Sequence, residues 1–340
     1  MITSLTPLLA AIDGWQICSI LIKTMTYGAS LTASGAVFFL LIFLAHLNAS
    51  EVRVMRRFIG FMALIAAALS ISRIFVMSAM LSDDLKGMWD VQFLHMAIAS
   101  KEGLALAWRL PCLLLVAGWA NSGLRRIHIA LPLLSALLIP ISFAMVGHVN
   151  ELESTTRLVA QLLIMLHLLA VSFWLGALWP LFHIAHEGHA AKSAMIVHQF
   201  GRYAMLVVDI LLFAGISVLW ILQGFSAKAW QTEYGQLMLL KLVSVSLLSG
   251  LAAYNKFRLT PRLRRGEQGV FAQLRLSIVM EMIIAAIILL LTASFTTMTG
   301  PDAETVVQIT SERSNNSLLA DKNFSLYMQK FFSKKEIHIC

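Results

Sequence analysis

Eight runs of mostly apolar residues, each long enough to cross the hydrocarbon core of a bilayer, dominate this chain. They fall at roughly 17–46, 57–81, 93–119, 127–148, 159–182, 203–225, 236–255 and 277–299. Inside lipid, backbone N–H and C=O groups find no water, so runs of this kind must close their hydrogen bonds as helices. The expected fold is therefore all-α: a polytopic membrane helix bundle of about eight transmembrane helices. The first run is long for an upright span and is expected to tilt. Composition agrees, since only 13% of the 340 residues are charged and 59% are apolar. A soluble chain carries roughly a quarter charged residues.

Basic residues separate the two sides of the membrane. Loops 47–57, 120–127, 183–203 and 256–276 hold thirteen Lys and Arg, against four in loops 82–101, 149–158 and 226–235. Cytoplasmic loops retain the excess of positive charge, so both termini are expected on the periplasmic side. Residues 1–299 then form the membrane domain, and 300–340 a polar, flexible periplasmic tail. The same distribution explains the net charge of +8 without nucleic acid, because the bases sit in short loops beside lipid. The first basic residue, Lys23, already lies within an apolar run, so the first helix is expected to stay in the membrane.

Folding the chain on this topology gathers soft ligands at the outer end. Met77 and Met80 end the second run, His95 and Met96 begin the third, and Met145 and His148 close the fourth. His167 lies in the fifth run and Met298 ends the eighth. Thioether and imidazole together suit Cu(I), and imidazole also holds Cu(II). Methionine also fills irregular apolar gaps, so the histidines carry the reading. Met145, His148, His167, His95 and Met96 are the candidate copper ligands. A second cluster, His183, His186 and His189, falls at the cytoplasmic end of the fifth run; Gly188 and the lack of a fourth ligand favour a solvated loop over a candidate exit site.

Charges within the runs cost free energy if they face lipid and should point into the bundle. They are Lys23, Arg73, Glu102, Arg109, Asp209, Lys241 and Glu281. Glu102 and Arg109 are seven apart and share a stripe, while Lys241 and Glu281 lie in or near the cytoplasmic half and could pair. Such groups serve as structural ion pairs or as a conduction path or proton relay. Cys18, Cys112 and Cys340 form no CxxC pair, and neither a haem-attachment sequence nor a phosphate-binding loop occurs.

The stretch from His167 through Trp174, Gly176 and Pro180 to Leu181 resembles the H-x-x-A-x-x-x-W-x-G-x-L-x-P-L run of the copper resistance protein D (CopD) family of bacterial inner-membrane proteins. Phe200-Gly201-Arg202, Tyr234-Gly235 to Lys241, and Ala252 to Asn255-Lys256 follow in the same order. Glu281 resembles that family's intramembrane Glu, and Gly147-His148 its Gly-His pair. The resemblance covers about 15–299 and is strongest from 148 onward. It implies movement of copper ion, Cu(I) or Cu(II), from periplasm to cytoplasm alongside a periplasmic CopC-type copper-binding protein. It also makes His148 and His167 the leading ligands, with Trp174 and Gly176 shaping the packing beside them. The expectation is a multi-pass inner-membrane transport protein, in contact with membrane lipid, and not an enzyme. Two alternatives stay open: a redox protein holding b-type haem between His148 and His167, and a copper-delivery partner that does not transport.

Overall fold

The computed structural model describes residues 14–122, 129–146, 154–186, 190–223 and 233–298. His148, His189, the tail 300–340 and the side chain of Met298 lie outside the described residues. Ten helices are seen there: α1 (Gly14–Phe43), α2 (Ala49–Ser82), α3 (Val91–Ala99), α4 (Lys101–Asn121), α5 (Ala130–Ala144), α6 (Ser154–Ile184), α7 (Ala190–Gln223), α8 (Glu233–Tyr254), α9 (Thr260–Arg264) and α10 (Val270–Met298). Short 3₁₀ turns occupy Leu44–His46 and Leu85–Met88, and a π turn, Asn255–Leu259, joins α8 to α9.

Seven helical segments among the described residues are long and apolar enough to cross a membrane. The expected fourth span is described as α5, of 15 residues, which is about 22 Å of helix and shorter than a hydrocarbon core. The expected single span 93–119 divides at Ser100. Its side chain accepts from the Gly103 backbone N–H and starts α4 afresh, leaving α3 as a nine-residue helix too short to cross. Two other helices begin earlier than their apolar runs. The Asn48–Glu51 capping box starts α2 at Ala49, so Arg53, Arg56 and Arg57 sit on helix and not on a loop. Likewise α7 begins at Ala190, placing Lys192 and Arg202 on its first turns.

Two helices form the centre. α1 packs against α2, α5, α6 and α10, and α6 against α1, α5, α7 and α10. They cross where neither has side-chain bulk. A Cβ on Gly176 would stand 2.1 Å from the carbonyl carbon of Gly35, and one on Gly35 would collide with the Ser172 carbonyl. Glycine at both positions lets the backbones touch, which is how helices in lipid gain packing contacts. Around this crossing lie Phe39, Phe43, Ala33, Val37, Trp174 and Ala177, all buried. By contrast, α7 and α8 sit at the edge. Leu206, Phe213, Ile216 and Trp220 of α7 and Leu240, Val243 and Leu247 of α8 are exposed, as helices bathed in lipid require.

Candidate functional site

His167 sits midway along α6, half-buried. Its Nδ1 is 3.0 Å from the carbonyl oxygen of Leu211 on α7. A carbonyl only accepts, so Nδ1 carries a proton, and in the neutral ring the lone pair is then on Nε2. A hydrogen bond of this kind orients a metal-ligating histidine and fixes its tautomer. The ring reaches Leu211 because residue 215, one turn on, is glycine: a Cβ there would lie 3.2 Å from the imidazole. Lys241 of α8 approaches closely enough to act electrostatically on the same ring. Helices α6 and α7 therefore meet at this imidazole through Leu211 and Gly215.

The other candidate ligands are dispersed. His95 and Met96 lie exposed on α3, while Met145 is half-buried just past the end of α5. Met77, near the end of α2, receives a hydrogen bond from Ser100 Oγ at 3.8 Å. All stand at the end of the bundle where α2 finishes and α4 begins. Among the described residues, however, no three His, Cys, Asp or Glu side chains gather as a metal cage. At the opposite end, His183 stacks on Trp179 at 5.3 Å between ring centroids, and Trp179 stacks on Phe58 at 4.0 Å. His186 is exposed and its Nδ1 lies 2.9 Å from Arg275 Nη1. A guanidinium always donates, so that nitrogen is occupied, beside a fixed positive charge. The two histidines face different partners.

The intramembrane charges divide into two groups. Near the outer-ligand end, Arg73 of α2 and Arg109 of α4 both engage Glu102 Oε1, at 3.3 and 3.5 Å. Arg109 Nε donates to Ser142 Oγ at 2.9 Å, and its guanidinium lies 3.7 Å over the Phe143 ring. Lys23 donates to the Thr296 carbonyl at 3.2 Å. All four charged side chains are buried. Glu281 and Lys241 are not paired. Glu281 Oε1 instead accepts from Asn255 Nδ2 at 2.5 Å, because the π turn swings Asn255 toward α10. Asp209 does not point into the bundle: it is exposed on α7, on the stripe of Leu206, Phe213 and Ile216. Only the opposite face of α7 meets α6, which leaves this stripe outward.

Three features lay beyond sequence reasoning: the Leu211 carbonyl, the role of Gly215 and the Asn255–Glu281 contact. Gly215, in the middle of an apolar run, was the one visible signal, since glycine there marks close approach.

Comparison with known proteins places this geometry. The family model for copper resistance protein D matches residues 194–295, and that for the copper resistance protein D-like N-terminal domain matches 12–158. The Inner membrane protein YebZ of Escherichia coli (strain K12) is 29% identical over 133 residues. That alignment covers 37% of this chain and 44% of the YebZ protein, so it spans less than half of either. No solved structure matches.

Proposed function

Because the chain belongs to the copper resistance protein D family, as a multi-pass inner-membrane protein, we propose that it carries copper from the periplasm into the cytoplasm, with His167 as an intramembrane ligand. Copper is the cargo in this reading and not a resident cofactor. The observation that supports it is the His167–Leu211 hydrogen bond, which in the neutral ring puts the proton on Nδ1 and turns the Nε2 lone pair toward a ligand. An imidazole so held binds Cu(I) or Cu(II) without first losing a proton.

The charge count supports an orientation in which the α2–α4 end faces the periplasm. Met77, Met96, His95, Met145 and His148 then form the entry side, where a CopC-type protein would deliver its ion. Among the described residues no three His, Cys, Asp or Glu form a cage, and weak multi-site binding is what conduction needs. His183 remains near the exit end, while His186 is occupied by Arg275.

The test is purified protein in liposomes enclosing a copper-responsive dye. Uptake above protein-free vesicles supports transport. Binding without uptake points instead to a delivery partner, and a haem Soret band in the preparation points to the redox alternative.

A further inference from the structure

Glu281 is 5% exposed, within a membrane-spanning helix. Its neighbours are polar but uncharged. Asn255 Nδ2 donates to Oε1, and Trp174 Nε1 lies close enough to act on the carboxylate while making no hydrogen bond of standard geometry. Ser277 stands one turn earlier on the same helical face, its Oγ buried without a hydrogen-bond partner.

Among the described residues no cation forms an ion pair with this carboxylate. α10 packs against α1, α6, α8, the π turn and α9. On α1, Lys23 reaches Thr296, fifteen residues along α10 from Glu281. On α6, His167 and His183 flank Trp174 by seven and nine residues, about 10 and 13 Å along the axis. On α8, Lys241 acts on His167. Lys256 of the π turn lies beside Gly201 of α7, and Arg262 of α9 binds Glu267. Arg258 and Arg264, and Arg275 on α10 itself, make no ion pair with Glu281. An ionised carboxylate buried without such a partner is costly, and a proton removes that cost.

The amide gives the second observation. Asn255 Oδ1 is buried and accepts no hydrogen bond. An ionised Glu281 has no hydrogen to offer it, whereas a protonated Glu281 carries an O–H that can donate to Oδ1 while Oε1 still accepts from Nδ2. Turning the amide over would set Oδ1 against a carboxylate oxygen, which again calls for a proton between them. Sodium fits less well, because the carboxylate, the amide and the Ser277 hydroxyl together offer few oxygens beside the Trp174 N–H donor, and hard cations take six or more.

We propose that Glu281 and Asn255, closed over by Trp174, form a proton-binding site at the π turn, where an acid–amide pair takes up and releases one proton. The π turn supports it, since such turns recur at functional sites. The site lies about 10 Å along α6 from His167, on the side away from the candidate entry end. A link between the proton and cargo movement rests on the transport reading; the proton site itself does not.

The test is infrared difference spectroscopy of the full-length protein in lipid vesicles as pH is stepped, without copper. A protonated-carboxyl C=O band that falls as pH rises, shifts in deuterated water and is lost in Glu281→Gln is expected. Asn255→Leu, which keeps the acid and removes its acceptor, should move that band and covers the case in which Glu281→Gln does not fold. A band unchanged in both variants, no pH-dependent carboxyl band, or a response to sodium at fixed pH would overturn the proposal. Absence of copper uptake with the band intact would remove only the transport reading.

Discussion

The two halves of this bundle treat buried charge in opposite ways. In the half built from α1 to α5, Glu102 bridges Arg73 and Arg109 at 3.3 and 3.5 Å, with Ser142 and Phe143 closing around the Arg109 guanidinium. In the half built from α6 to α10, His167 and Glu281 are held by neutral groups, a carbonyl and an amide. Packing follows the same division. In the most apolar stretch of α1, 61% of the residues are buried, against 6% in those of α7 and α8. Ion-paired charges in a dense half make scaffold. The transport and proton-site proposals both rest on groups of the second half, His167 and Glu281.

The comparison breaks first at Glu102. Glu102→Ala leaves two guanidiniums buried without their carboxylate, which should cost about 3–5 kcal/mol. The expected result is a large fall in thermal unfolding temperature in detergent, or loss of folded protein. A variant as stable as the parent would show that the first half is not a charge-locked scaffold.

A smaller effect is expected at the crossing that joins the halves. Gly176→Val forces α6 away from Gly35, and overpacking of this kind costs roughly 1–3 kcal/mol. The same unfolding measurement checks it, and an unchanged midpoint would argue against a tight α1–α6 seam.

Smaller again is Lys241→Met. Removing a positive charge near His167 should favour a bound copper ion by about 1 kcal/mol, roughly fivefold in affinity. Competition with a Cu(I) chelator reads this directly, and weaker binding would mean that Lys241 assists the site.

The smallest effect is set outside the spans. Arg262 and then Arg265 hold the Glu267 carboxyl below the usual carboxylate range, chiefly through hydrogen bonds. Any stability from this exists above the unfolded-state value and is lost as pH falls through the lower folded value. The group is exposed, so Glu267→Gln should leave the unfolding midpoint unchanged at neutral pH. A clear fall there would give the α9–α10 turn a larger structural role.

Much of this frame was legible from hydropathy, because lipid demands long apolar helices whatever their packing. The Glu102–Arg109 pairing could be read from seven-residue spacing on one helix. The break at Ser100 could not be read so directly: it was marked only by the polar step Ser100-Lys101-Glu102, which was absorbed into one long span, while the break itself depends on one side-chain cap. Nor could the starts of α2 and α7, where the helix continues beyond its apolar run into Arg53 and Lys192. Asp209 was expected inside, but the sequence does not say which face of α7 meets α6. Glu281 was matched with Lys241 because both are charged. The π turn instead shifts the helical register and brings Asn255, a residue of no charge.

The central claim is that His167 offers copper a ligand nitrogen within the open half. The measurement is copper flux into liposomes for His167→Ala beside the parent, with insertion and unfolding temperature matched. The account predicts that flux is lost while the unfolding temperature stays within a degree or so, since the side chain makes one hydrogen bond of about 1 kcal/mol. Parental flux through His167→Ala would contradict it.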